Sequence, residues 1–263
     1  MALRHLDLVS RYADVSQLGK KCPFQAAVSC LSEDACVVQI GSHTGHSHND
    51  PIHLHVHNRR WHGVAVEPIP YLFDELRKQY HGTSMGCCNA AIAGNEGRVR
   101  IFSIARDALR SRMRNIDYGF QAEGVLPRWA DQIASLSREH VERHLPGEPI
   151  DETEVECITP STLCQRYMLS NVDLLHIDAE GFDSVVLAAW DFASIKPSII
   201  RFEVKHMDGV CKLGSKFEAT AQLLRRHGYA LTLIDDEDMM AILTGTLEAA
   251  PFESKSSGCA KEA

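Results

Sequence analysis

Short aliphatic runs that stop at a glycine or an acid, each followed by a segment of helical spacing, recur along this chain. Val37, Val38 and Ile40 stop at Gly41, and Val64 to Val66 stop at Glu67, so both read as buried parallel strands. Ile69, Leu72, Phe73, Leu76 and Tyr80 then fall on one face of a crossover helix. Met85 to Ala93 predicts a third strand running into a loop, and RVRIFSI, residues 98–104, alternates like an exposed hairpin arm. Val155 to Ile158 predicts another short strand, after which Thr159 and Pro160 open a helix through Leu163 and Tyr167. Leu174, Leu175 and Ile177 form a strand that delivers Asp178 and Glu180 to its carboxyl end, before Gly181 and a further helix. Ile199 to Val204 is the next strand, with Glu203, Lys205 and His206 at its end. A helix through Phe217, Leu224 and His227 stops at Gly228, and Leu231 to Ile234 with Met239 to Leu243 predict a terminal hairpin around DDED.

Two segments need arbitration. Ile52, Leu54 and Val56 alternate with His53, His55 and His57 as a strand would. Consecutive parallel strands, however, need a helical crossover between them, so the segment is assigned to a helix with Asp50 as N-cap and Pro51 at its first position. Residues 105–150 break the strand–helix rhythm. They are rich in Arg and turn formers, predict one helix around Pro127 to His144, and read as a lid inserted at the carboxyl edge of the sheet. The expected organisation is a helical extension over 1–35, an α/β domain over 36–248 containing the insertion, and a flexible tail over 249–263.

Composition narrows the class. The 263 residues are 44% hydrophobic, enough for the packed core of one large α/β domain. A formal net charge of −8 argues against a general nucleic-acid surface, and no apolar run is long enough to span a membrane, so a soluble cytoplasmic protein is expected. The nine cysteines are scattered without a CxxC pair and read as reduced thiols. Nothing in the pattern implies an oligomeric state.

The chemistry gathers at the strand ends. Gly41 and Gly45 leave room for a ligand to approach the backbone, and Glu67, closing the second strand, is placed to accept hydrogen bonds from a ribose diol. A nucleoside-containing cofactor is the prime expectation. Asn89 either caps a turn or meets an adenine edge. Asp178 and Glu180 either build a site or cap the helix that follows them. His206 is the first candidate proton acceptor, unless it is a surface loop histidine. His53 and His57, four apart on a helix, read as a polar face rather than a metal site because no third ligand is evident.

The blocks IGSHTG, VEPIPYLFDEL, CNAAIAG, VDLLHIDAEGFDSVVL, PSIIRFEVKH and HGYALTLIDDEDMMAIL, in this order and spacing, resemble the FkbM-type S-adenosylmethionine-dependent methyltransferases. The likeness runs from about residue 35 to residue 245. It implies a class I methyltransferase (Rossmann-like) fold, a seven-stranded doubly wound sheet with an antiparallel terminal strand. It also implies methyl transfer to a hydroxyl oxygen of a small molecule or sugar-containing metabolite. By the same resemblance, Gly41, Ser42, His43 and Gly45 form the loop under the amino-acid part of S-adenosyl-L-methionine. Glu67 and Pro68 serve the ribose, Asn89 and its neighbours approach the adenine, and Asp178 faces the methionine end. Trp129, Gln132 and Ser135, in LPRWADQIASLS, close over cofactor or substrate, with Glu180 and Glu203 on the substrate side. His206 and Asp178 are the catalytic candidates, and Asp178 is also a candidate ligand for a divalent cation such as magnesium. Two departures stand out: Gln39 replaces the family's usual Asp or Glu, and Ser42-His43 replaces Ala-Asn. They keep open a cofactor-binding protein without turnover, and the glycine loop with its ribose acid keeps open an NAD-dependent oxidoreductase.

Overall fold

β1 (Cys36–Ile40) is buried at all five positions because it lies between two parallel neighbours, β2 (His62–Val66) and β7 (Leu174–Ile177). The computed structural model describes residues 23–46, 50–113, 124–209 and 212–244. β3 (Ser84–Cys88) and β8 (Ile199–Glu203) extend the sheet in parallel on either side. β10 (Asp238–Leu243) runs antiparallel between β8 and β9 (Tyr229–Leu233), giving the order β3-β2-β1-β7-β8-β10-β9. This is the seven-stranded class I arrangement with its antiparallel terminal strand. The chain reverses its direction of winding between β1 and β7, and the loops leaving those two strands part to open a crevice.

Alternation along each strand decides which helices cover which face. Val37, Ala65, Met85 and Leu174 pack with α1 (Pro23–Ser29), α2 (His53–Asn58) and α3 (Pro70–Gln79). Val38, Val64, Leu175 and Ile200 pack on the other face with α6 (Pro160–Arg166), α7 (Asp183–Ala189) and α8 (Ser215–Arg226). Each fully buried Val, Leu or Ile contributes about 1.5–3 kcal/mol relative to exposure. A one-residue slip of β1 would therefore exchange both faces at once.

Several expectations shift. Asp50 Oδ1 accepts from the backbone N–H groups of Ile52 (2.9 Å) and His53 (3.2 Å), but the regular turn starts only at His53, so Asp50 and Pro51 each stand two residues ahead of the cap and first helical positions they were expected to fill. The third strand stops at Cys88. Ala91–Ile92 (β4) leaves for a second sheet of order β4-β6-β5, where β5 (Gly97–Ile104) pairs antiparallel with β6 (Ile150–Ile158). The strand expected at 155–158 is the end of this longer arm.

Within the insertion, α4 (Arg106–Arg112) is followed by a single further helix among the described residues, α5 (Arg138–His144), rather than one over 127–144. Ser135 is drawn out of helical geometry by a two-way backbone bridge to Phe102, at 2.8 and 2.9 Å, and the Ser137 side chain then caps α5 by accepting from His140 N. The insertion has its own apolar centre in Ile104, Leu109, Leu126, Ile133 and Val141. Of the amino-terminal extension only 23–35 is described, with α1 in it; the tail at 249–263 lies outside the described residues. Six cysteines among the described residues are free thiols, and no described helix is long and apolar enough to cross a membrane.

Candidate active site

The crevice at the carboxyl ends of β1, β2, β7 and β8 encloses about 310 Å³, within the range of small-molecule sites. Its near end is built by backbone. Gly41 has φ +82°, and a Cβ there would sit 1.8 Å from the carbonyl oxygen of Asp178. Gly45, at φ +69°, would meet Leu76 Cδ1 at 2.7 Å and does not line the crevice. Both glycines are thus demanded by protein contacts, the end of β7 and α3, and of the two only Gly41 also lines the crevice. Ser42 is buried: its hydroxyl accepts from Val66 N (3.1 Å) and donates to Gln39 O (3.2 Å), tying the loop to β2. His43, at φ 49°, donates its backbone N–H to Glu67 Oε2 at 2.9 Å.

Glu67 lines the crevice with one further bond, from Ile69 N to Oε1 at 2.8 Å. Burial raises its pKa to about 7, outweighing those two bonds and the His43 side chain, which act downward. Each oxygen keeps a second lone pair for a ligand hydroxyl. Pro68 lines the wall beside it. Asn89 does not: its amide donates to the carbonyls of Glu67 (2.8 Å) and Pro68 (3.0 Å), so it locks the acidic loop, and Ala90, Ala91 and Ile92 form the wall instead of the expected asparagine. Gln39 Nε2 donates to Asp50 Oδ1 at 3.3 Å, and both line the crevice. A carboxylate therefore stands next to the position where the family's acid is replaced by glutamine.

Residues 129–136 roof the space, with Trp129, Gln132 and Ser135 in the lining as expected of a lid. Asp131 Oδ2 is 3.4 Å from His43 Nε2, and Ser135 Oγ donates to Glu180 O at 3.0 Å, so the roof touches both ends.

The far end is built by side chains. Asp178 opens into the crevice while protein surrounds it elsewhere; burial, then the charges of Glu180, Asp183 and Asp238, raise its pKa well above the usual carboxylate range, with Arg201 opposing. Neither Asp178 nor Glu180 bonds to the amino end of α7. Asp183 holds that turn instead, accepting from Ala179 N (3.3 Å) and Glu203 N (3.0 Å). Glu180 takes a left-handed conformation, φ 46°, and its Oε2 lies 3.0 Å from His140 Nε2 and 3.3 Å from His206 Nδ1. Glu203 Oε1 is 2.8 Å from the same His206 Nδ1.

The tautomers follow from the contacts. His144 Nδ1 faces the carbonyl of His140 at 2.8 Å and must donate to it, which leaves His144 Nε2 as an acceptor for His206 Nε2 at 3.1 Å. His206 therefore presents N–H at Nε2 and faces two carboxylates at Nδ1. Burial acts to lower its pKa, but Glu180 and Glu203 override it and hold the ring protonated, at about 10. Glu180 is correspondingly held down to about 2 by His140 and His206 against the upward push of burial. The expected role of His206 as proton acceptor is corrected: neither ring nitrogen has a lone pair free for a substrate proton. Asp178 belongs to no group of three potential metal ligands among the described residues; those groups centre on His206. His53 is engaged with Gly45 O (2.7 Å) and His46 (3.0 Å) and likewise joins no such group.

Sequence reading passed over Asp50, Asp131, His140 and His144. Asp50 looked like a helix cap, which it partly is. The local signal for His140 and His144 was the His-x-x-x-His spacing in HVERH, which puts both rings on one face of α5, and Asp131 had no such signal.

A solved TehB-like SAM-dependent methyltransferase from Corynebacterium glutamicum is similar at 10% identity and a TM-score of 0.38, over 93% of this chain and 99% of that one. No curated protein matches. The family model described as Methyltransferase FkbM domain matches residues 39–231, which takes in the glycine loop, Glu67, the roof and both carboxyl edges. The chain belongs to the FkbM methyltransferase family.

Proposed function

We propose that the chain transfers the methyl group of S-adenosyl-L-methionine to a hydroxyl oxygen of a small acceptor. The observation that carries this reading is one continuous crevice with a ribose-type acid, Glu67, at one end and the open carboxylate of Asp178 at the other. The donor set fits the cofactor. Glu67 offers a lone pair on each oxygen to a diol, Ala90 to Ile92 offer an apolar wall to a base, and Asp50 beside Gln39 offers negative charge to an ammonium group. The departure at Gln39 is thereby compensated, which favours turnover over mere binding.

When bound, the cofactor supplies an already activated methyl group, so the protein has only to align the acceptor oxygen and take its proton. Asp178 is the residue for the second task, since its carboxylate faces the crevice and His206 is engaged on both nitrogens. The roof over 129–136 excludes water from the reacting pair.

Calorimetric titration with S-adenosylmethionine, S-adenosylhomocysteine and NAD tests the cofactor. Saturable binding of the first two and none of NAD is expected, and the reverse pattern would sink the reading. For the chemistry, Asp178→Asn is expected to lower turnover on a hydroxylated acceptor by about 10²-fold or more while leaving the fold intact. Wild-type turnover in that variant would remove Asp178 as the base.

A further inference from the structure

The far end of the crevice gathers more ligating chemistry than proton transfer needs. Three donor atoms come together there, with His206 Nδ1 at 3.3 Å from Glu180 Oε2 and 2.8 Å from Glu203 Oε1, while His140 Nε2 holds Glu180 Oε2 from behind at 3.0 Å. Donor atoms bound tetrahedrally at about 2.0–2.2 Å lie about 3.3–3.6 Å from one another, and Glu180, Glu203 and His206 each offer a ligand atom within 4.8 Å of the other two, so a modest adjustment would make them three ligands of such a shell. The two contacts of His206 Nδ1 are close ion-pair approaches without in-line hydrogen bonds. His206 Nδ1 and Glu203 Oε2 are fully enclosed yet have no in-line partner, and the His206 side chain is only 6% exposed. An enclosed nitrogen and an enclosed carboxylate oxygen without partners, aimed into a group of further donors, are costly unless something else satisfies them.

We propose that Glu180, Glu203 and His206 bind one divalent transition-metal ion, with His140 holding Glu180 and His144 holding His206 from behind. An ion would take the place of the proton that His206 Nδ1 otherwise holds toward the two carboxylates, and the Nε2–H tautomer this leaves is the one the contacts impose. His206 Nε2 donates its proton to His144 Nε2, leaving Nδ1 to the ion, and His144 is itself fixed by the carbonyl of His140. Glu180 takes a left-handed backbone at φ 46°, a conformation that costs a non-glycine residue about 1 kcal/mol or more and that aims its carboxylate into the group. One imidazole with two carboxylates suits zinc, manganese, iron or cobalt, and the imidazole selects against magnesium. His140 and His144 ride on α5 of the insertion while the three ligands come from the sheet edge, so ion binding would firm the seam between roof and body. Glu180, Glu203 and His206 also line the crevice, so with three protein ligands the ion would keep a position open for an acceptor hydroxyl; that last extension rests on the methyl-transfer reading, whereas metal binding does not.

The test is titration of chelator-treated protein with Co²⁺, followed by its visible absorption, with Zn²⁺ and Mg²⁺ as competitors. One Co²⁺ per chain is expected, displaced by Zn²⁺ and not by millimolar Mg²⁺. His206→Ala and Glu180→Gln should abolish the absorption, and His144→Ala should weaken binding about tenfold. The thermal midpoint of each variant without metal, compared with that of wild-type protein, separates lost binding from lost folding. Absence of saturable absorption in wild-type protein, or its survival in a folded Glu180→Gln/His206→Ala double variant, overturns the proposal. Cofactor titration on the same samples reads independently, so failure of the metal site and failure of the methyl-transfer reading are told apart.

Discussion

The two ends of the crevice are made differently. At the near end the shape comes from backbone: Gly41 at φ +82° against the carbonyl of Asp178, and His43 N–H and Ile69 N–H on the carboxylate of Glu67. At the far end it comes from side chains on elements far apart in sequence, His140 meeting Glu180 across 40 residues and His144 meeting His206 across 62. A backbone-built end fixes where a cofactor lies and tolerates little substitution. A side-chain-built end sets chemistry and tolerates exchange at a cost in function more than in folding.

Gly41→Ala probes the first half of that contrast with the largest expected effect. The added methyl would stand 1.8 Å from a backbone oxygen that cannot swing aside, on a residue already in the left-handed region. A loss of about 3 kcal/mol or more is expected, a large share of a typical domain's 5–15 kcal/mol, so the variant should be insoluble or melt far below wild type. His144→Ala, from the other end, should melt within a few degrees of wild type. Equal melting of the two variants would break the contrast.

Glu67→Gln comes next. It keeps the shape and removes the charge, and charge-assisted hydrogen bonds contribute about 1.5–3 kcal/mol, so cofactor affinity should fall about 10- to 100-fold by calorimetry. Unchanged affinity would mean that the ribose is held elsewhere.

The near end was legible because its signals are local. The glycine stop after β1, the acid closing β2 and the aliphatic runs between them occupy one contiguous stretch, and the 2.0 and 3.6 periodicities fixed the sheet and its helices. The far end was legible only in part. Asp178, Glu180, Glu203 and His206 announce themselves at strand ends, but that His206 is hemmed in by two carboxylates and a second histidine depends on where α5 docks. The docking depends in turn on the Phe102–Ser135 bridge that cuts short the helix expected over 127–144. No local pattern encodes that bridge. Gly45 does not line the crevice, and Asn89 takes the chain-internal one of its two readings, for a related reason: a residue type suited to a ligand is equally suited to a tight contact with the chain itself.

A pH titration sharpens the near end with a smaller effect. Burial raises Glu67 from 4.5 to about 7, so the protonated form is favoured in the folded protein. A raised carboxyl pKa contributes stability that is fully present below 4.5 and is lost as pH rises through about 7. Cofactor binding needs the ionised form and runs the other way, weakening about tenfold as pH falls from 8 to 6. Stability and affinity should therefore move in opposite directions across this window, and in Glu67→Gln both trends should flatten.

Ser135→Ala tests the joint between the two ends and carries the smallest expected effect. The Ser135 hydroxyl donates to Glu180 O at 3.0 Å and accepts from Ser137 N at 3.3 Å, so one side chain fastens the roof to the loop that carries Glu180. A single neutral hydrogen bond contributes about 0.5–1.5 kcal/mol net, and the backbone bridge to Phe102 survives the substitution, so the fold should hold. The loss should fall on the far end, because Glu180 already sits in a left-handed conformation that this contact helps to fix. Turnover, or Co²⁺ affinity as its proxy, should drop about two- to tenfold while cofactor affinity stays within about twofold of wild type. A matching loss of cofactor affinity would mean that the roof couples the two ends as one body, and the division of labour between them would have to be given up.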